Sequence, residues 1–126
     1  MNGVLVDTSV WVDHFRNGND TLMALLALDR VMTHPMILGD IACGTPPLRA
    51  RTLEDLDRLQ KAQRASVREV LDFIERERLF GLSCGFVDML LLASTLMTPG
   101  ATLWTRDKRL AGLAARFGVL HQPFLH

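Results

Sequence analysis

No apolar run in this 126-residue chain reaches the roughly 18 residues that would suggest a membrane span. No basic segment precedes an apolar one at the N-terminus, so a secretory signal is not expected and a cytoplasmic protein is. Cysteine is scarce: Cys43 and Cys84 have no ligand-like spacing to each other or to histidine. That spacing argues against a zinc site or a disulfide and for two buried thiols. Net charge is absent too, with 14 basic against 14 acidic residues, so no global field points to a nucleic-acid partner. There is no Gly-rich phosphate loop, internal repeat, low-complexity tract or linker. The histidines, at 14, 34, 121 and 126, lack ligand spacing and read as surface or packing residues.

What the chain has is apolar content, 48% against 22% charged, which argues for a folded core over disorder. The length suits one domain spanning residues 1–126. "VLVD" predicts a short buried strand ending at Asp7, and "TSVWVDHFRNG" a helix closed by Gly18. Asn19 or Asp20 then caps "TLMALLALDR". "VMTHPMIL" reads as extended, with Pro35 breaking any long helix. "TPP" marks a boundary before "TLEDLDRLQKAQ", a helical stripe with leucines at 53, 56 and 59. "SVREVLDFIERERLFG" repeats that pattern through Val67, Val70, Leu71, Ile74 and Leu79. "VDMLLLASTLM" is apolar over most of its circumference and predicts a helix at the centre of the fold. "ATLWTRD" is a further strand, "KRLAGLAARFG" a helix and "VLHQPF" a last strand. Strands alternating with helices predict a three-layer α/β/α sandwich around a short-stranded parallel sheet.

Four acids fall at element junctions beside apolar runs. Asp7 and Asp107 end strands, and in open parallel sheets ligands bind beyond the C-terminal strand ends. Asp88 lies near the start of the buried helix, and Asp40 follows "MIL". An ionised carboxylate in apolar surroundings costs several kcal/mol unless donors or a cation compensate. Converging carboxylates repel, and an all-oxygen set suits Mg²⁺ or Mn²⁺. Each acid also has a plainer reading: Asp7 and Asp88 as helix caps, Asp107 as a turn anchor. The basic clusters, Arg49 with Arg51 and Arg106, Lys108 and Arg109 around Asp107, gain meaning only if a negatively charged ligand docks nearby.

"LVDTSVWVDHFR", "ILGDIACG", "GFVDMLLLAS" and "LWTRDKRL", in this order, resemble a PIN-domain ribonuclease, most nearly the VapC toxins of bacterial VapBC toxin–antitoxin pairs. The resemblance covers essentially the whole chain. It implies a homodimeric α/β/α domain that cuts tRNA or ribosomal RNA with Mg²⁺, for which Mn²⁺ substitutes. It also implies a cognate VapB antitoxin that covers the active site. By this resemblance Asp7, Asp88 and Asp107 match metal-binding acids, and Ser9 and Thr105 match hydroxyls that steady them. Arg106 and Lys108 flank the last acid, and their charge suits RNA phosphates.

One position departs from the pattern. The family usually has Glu where this chain has Asp40, whose carboxylate reaches roughly 1.5 Å less. A displacement near 1 Å costs on the order of 100-fold in rate. Natural variation with a compensating backbone shift and a deliberate activity-lowering substitution both stand as accounts. Two other functions compete with the nuclease. One is a weakened PIN-like protein that binds antitoxin or RNA without cutting. The other is a phosphate-handling or receiver-like α/β domain, which the order of the acids fits poorly.

Overall fold

The structure, a computed structural model, describes residues 2–122. The first strand, β1 (Val4–Val6), is wholly buried, as an all-valine and leucine run must be when both sheet faces are covered. Thr8–Asn17 forms α1, and Gly18 ends it at φ 73°, a left-handed position that glycine adopts freely. Asn19 then caps α2 (Asp20–Ala27), its side chain accepting from the Leu22 N–H.

The next segment corrects the extended reading of 31–38. Only β2 (Val31–Thr33) is a strand, and α3 (Pro35–Ala42) follows at once. Pro35 starts the helix rather than breaking it, because the first helical position needs no N–H donor. His34 supplies the cap, its Nδ1 accepting from the Met36 N–H at 3.1 Å.

A second correction concerns the leucine stripe at 53, 56 and 59. Helix α4 (Arg49–Asp57) stops short of Leu59, and Gln60–Lys61 forms an exposed edge strand, β3. Helix α5 (Val67–Glu77) opens on a full Ser66–Glu69 capping box. It buries Val70 and Phe73, whereas Val67 and Leu71 face solvent. The central helix α6 (Phe86–Met97) buries every residue from Met89 to Thr95. Its hydroxyls are satisfied inside: Ser94 Oγ meets His34 Nε2 and the Ala65 N–H, and Thr95 Oγ1 donates to the Leu91 carbonyl. Strand β4 (Thr102–Trp104) and α7 (Lys108–Arg116) complete the fold. Of the expected last strand, a single parallel bridge from Leu103 to Leu120 forms among the described residues. Pro123, Phe124 and His126 lie outside them.

The sheet is parallel throughout, in the order β3-β2-β1-β4. Helices α1, α3 and α4 contact one another in sequence, as do α5, α6 and α7. Right-handed crossovers place the first group on one face of the sheet and the second on the other. This is the expected three-layer α/β/α arrangement. The chain steps from β1 outward to β3 and returns to β4 on the other side of β1. The order therefore reverses at β1, the place where open α/β sheets take their ligands. None of the described helices is long and apolar enough to cross a membrane.

Candidate active site

Register brings the first pair of site residues together. Val6 pairs with Trp104, so Asp7 and Thr105 leave the sheet side by side. Asp7 is 9% exposed, and its position before α1 is that of a cap, yet its side chain makes no capping bond. Its Oδ2 instead accepts from two hydroxyls, Ser9 Oγ at 2.9 Å and Thr105 Oγ1 at 2.8 Å. Each hydroxyl in turn accepts a backbone N–H from the following turn. Arg106 N–H donates to Ser9 Oγ at 3.0 Å, and Asp107 N–H to Thr105 Oγ1 at 3.1 Å. Both hydroxyl protons are thereby directed at Asp7, and the carboxylate is held in one orientation.

Asp88 lies in the first turn of α6 and is half-buried. Burial pushes its carboxyl above the usual range; Asp7 adds to the rise, the Gly85 N–H offsets part of it, and Asp107 and Asp40 raise it further. All three other acids therefore act on Asp88, and no basic side chain is among its perturbing groups. Asp107 is exposed and does cap its helix, Oδ1 accepting from the Arg109 and Leu110 N–H groups at 2.9 and 3.0 Å. Asp40 sits exposed on α3, and Thr8 Oγ1 donates to its Oδ2 at 3.3 Å. Of the three acids acting on Asp88 it contributes least.

The donor chemistry of this set, carboxylates and hydroxyls only, fits a hard divalent cation. Among the described residues no three acids, cysteines or histidines stand at the spacing of a formed metal cage. Instead, Asp7, Asp107 and Asp40 all bear on Asp88 through their charge, and two of the four acids, Asp40 and Asp107, are exposed to solvent. Such a layout suits an ion that keeps its waters and engages a few carboxylates together with substrate phosphates.

The basic residues divide. Arg106 Nη1 lies 2.7 Å from Asp13 Oδ1, an α1 carboxylate that also accepts from Asn17 Nδ2 at 3.0 Å. The Asn17 hydrogen bond, with the Arg106 charge, keeps the Asp13 carboxyl below its usual range. Lys108 is exposed and has no ion pair among the described residues. Neither cysteine is the buried thiol expected: Cys43 is exposed and Cys84 is half-buried. Burial, then the Asp88 and Asp107 charges, pushes the Cys84 thiol up. Sequence reasoning missed Thr8 and Asp13. Thr8 carries a signal, since it follows Asp7 in "VDTS". The Asp13–Arg106 pair joins segments far apart in the chain and leaves none.

No family model matches the chain. It is 40% identical over 116 residues to a protein named ribonuclease VapC32 from two strains of Mycobacterium tuberculosis, CDC 1551/Oshkosh and H37Rv. The match covers 92% of this chain and 94% of each relative. The fold is shared with a chain from the crystal structure of DNA-bound VapBC from Salmonella typhimurium, with a TM-score of 0.65 at 16% identity. That likeness covers 96% of both chains.

Proposed function

Since the chain belongs to the VapC family of PIN-domain ribonucleases, we propose that it is the toxin of a VapBC-type pair and hydrolyses RNA phosphodiester bonds at the Asp7–Asp40–Asp88–Asp107 pocket. One observation carries the assignment of the site. Asp7 and Thr105 leave β1 and β4 side by side where the strand order reverses, and half-buried Asp88 in the first turn of α6 bears the charges of Asp7, Asp107 and Asp40 with no basic side chain among its perturbing groups. Mg²⁺, or Mn²⁺ in its place, would supply the missing positive charge, activate water and stabilise the leaving oxygen.

The chain's own groups have separable tasks. Asp7, Asp88 and Asp107 present oxygens for the ion, and Ser9 and Thr105 fix the orientation of Asp7. Asp40 helps to place the ion or to orient the attacking water. Lys108, and Arg106 when it exchanges Asp13 for a phosphate, draw the RNA backbone in. The substrates are unpaired loops of tRNA or ribosomal RNA, whose splayed nucleotides enter a pocket that a duplex would not. A VapB-type antitoxin is the protein partner. Two copies associate as a homodimer through α1 and α2 and the mid-chain helices α4 and α5, and the protein acts in the cytoplasm.

The exposure of Asp40 and its weak influence on Asp88 favour a second reading, a weakened toxin that binds antitoxin or RNA with little cleavage. One experiment tests both. The purified, antitoxin-free chain is given mixed tRNA and rRNA with Mg²⁺, Mn²⁺ or EDTA, beside Asp7→Asn and Asp40→Glu. Cleavage that EDTA and Asp7→Asn abolish supports the nuclease. RNA binding without cleavage, restored to cleavage in Asp40→Glu, supports the weakened toxin. Absence of both metal binding and RNA binding would sink the site.

A further inference from the structure

A groove of about 400 Å³ opens beside the acidic pocket, lined by α1 and by the loop that follows α3. Asp40, one of the four site acids, and Thr8, the residue after Asp7, both line the groove, so it adjoins the acids. Its apolar surface comes from Phe15, Pro46 and Pro47 among others, and Arg16 adds a guanidinium. The volume falls within the roughly 300–1,000 Å³ of small-molecule and cofactor sites.

Three features make this groove preformed. The Phe15 ring stacks on Trp11, with centroids 6.0 Å apart and planes 29° apart, and Trp11 is buried in the core. Arg49 ties down the start of the loop, donating through Nη2 to the Ala42 carbonyl at 2.6 Å and through Nε to the Gly44 carbonyl at 3.2 Å. Thr52 Oγ1 holds its end, donating to the Pro47 carbonyl at 2.5 Å. Arg16 is exposed and has no ion pair among the described residues.

We propose that this groove is a nucleotide subsite, holding one unpaired nucleotide of the RNA next to the scissile phosphodiester, its base against Phe15 and the proline faces and its phosphate on Arg16. The proposal rests on the ribonuclease reading above. A flat, rigid aromatic and proline surface suits a base's π-face, and an unpaired guanidinium suits a phosphate. The carboxylate of Asp40, at the junction, suits an exocyclic amine or a ribose hydroxyl and would repel a second phosphate. An acidic peptide would leave the apolar surface unused.

The test is steady-state cleavage of a short single-stranded RNA by the full chain. Arg16→Ala and the groove-filling Thr45→Trp are compared with the wild type and with a remote control, Arg68→Ala. Arg16→Ala removes a solvent-exposed head group and keeps the fold; Thr45→Trp blocks the space and leaves every acid in place. Each is expected to raise KM about tenfold, the scale of losing one stacked base or one phosphate contact, with kcat within about twofold. Arg68→Ala leaves both unchanged. Unchanged KM in both groove variants, with the wild type cleaving, overturns the subsite alone. So does loss of antitoxin binding with RNA kinetics intact, which would make the groove a protein-docking site. A wild type that neither binds nor cuts RNA overturns the ribonuclease reading, and the subsite with it.

Discussion

Thr105 donates its hydroxyl proton to Asp7 at 2.8 Å across 98 residues of chain, and accepts the Asp107 N–H at 3.1 Å. One side chain therefore sets the orientation of one acid and the backbone position of another. Thr105→Val removes the donor from a buried carboxylate and strands the Asp107 amide. A loss of about 10- to 100-fold in cleavage is expected, as for groups that orient metal-binding side chains. Stability should fall by roughly 1.5–3 kcal/mol, the range for a hydrogen bond to a charged group. Thr105→Ser keeps the hydroxyl and should recover most of both. Parallel rate and thermal-melt measurements check this, and equal losses in both variants would refute it.

Asp7 and Asp88 stand out in the sequence because each breaks an apolar run, where burial makes a charge costly, and Asp40 and Asp107 because each lies at an element junction. The same holds for β1, α1 with its Gly18 end, and the central α6, whose apolar circumference translates directly into seven buried residues. Pro35 misled because proline breaks a helix interior but begins a helix well, and only the preceding His34 cap distinguishes the two. The strand Gln60–Lys61 is two exposed residues pairing with Met32 and Thr33, so no apolar pattern announces it. Cys43 followed an average tendency of cysteine that its place at the end of α3 overrides. The hydroxyl network and the Asp13–Arg106 pair depend on strand register and turn geometry, which are long-range properties.

Asp40→Glu tests the shortened side chain. Asp40 is exposed on α3 and influences Asp88 less than Asp7 or Asp107 does. One added methylene extends the reach of the carboxylate by roughly 1.5 Å. A rise in cleavage of about tenfold or more is expected, up to the order of 100-fold that 1 Å is worth. Single-turnover rates at saturating Mg²⁺ measure it. An unchanged or lower rate would mean that the backbone already compensates.

His34 predicts an acid sensitivity that is independent of the site. Burial, with the Arg64 charge, lowers its pKa below the ordinary value of 6.5. Its Nδ1 accepts from Met36 and its Nε2 faces Ser94, so a second ring proton would displace the Met36 donor. The unfolded chain takes up that proton first. Stability is therefore fully present above pH 6.5 and declines as pH falls below it, toward the lowered native pKa. His121, also lowered by burial and then by Arg30, adds to the same decline. His34→Asn retains a capping oxygen and should lose less stability between neutral and mildly acidic pH, though it starts lower by roughly 1–2 kcal/mol for the unpaired Ser94. Denaturant melts across that range decide; identical pH slopes for wild type and variant would refute it.

Asp88 predicts opposite effects of one substitution in EDTA and in Mg²⁺. Its carboxyl is raised by burial first and by the other acids next, so the folded chain holds the proton more tightly than the unfolded chain does. The stability linked to that proton is present below the ordinary value near 3.8 and is lost as pH rises through the raised one. Without metal, the charge that Asp88 takes on as pH rises is a net cost to the folded chain. Asp88→Asn should therefore melt a few degrees higher than wild type at pH 7 in EDTA, with the gap closing toward pH 4. Millimolar Mg²⁺ should reverse the order, because a ligand that binds only the native state stabilises it by mass action and the variant has lost an oxygen ligand. Calorimetry at two pH values, each with EDTA or Mg²⁺, reads all four cases. A variant that melts lower than wild type in EDTA at pH 7 would show that Asp88 holds structure together. A variant that gains as much from Mg²⁺ as wild type does would remove Asp88 from the metal site.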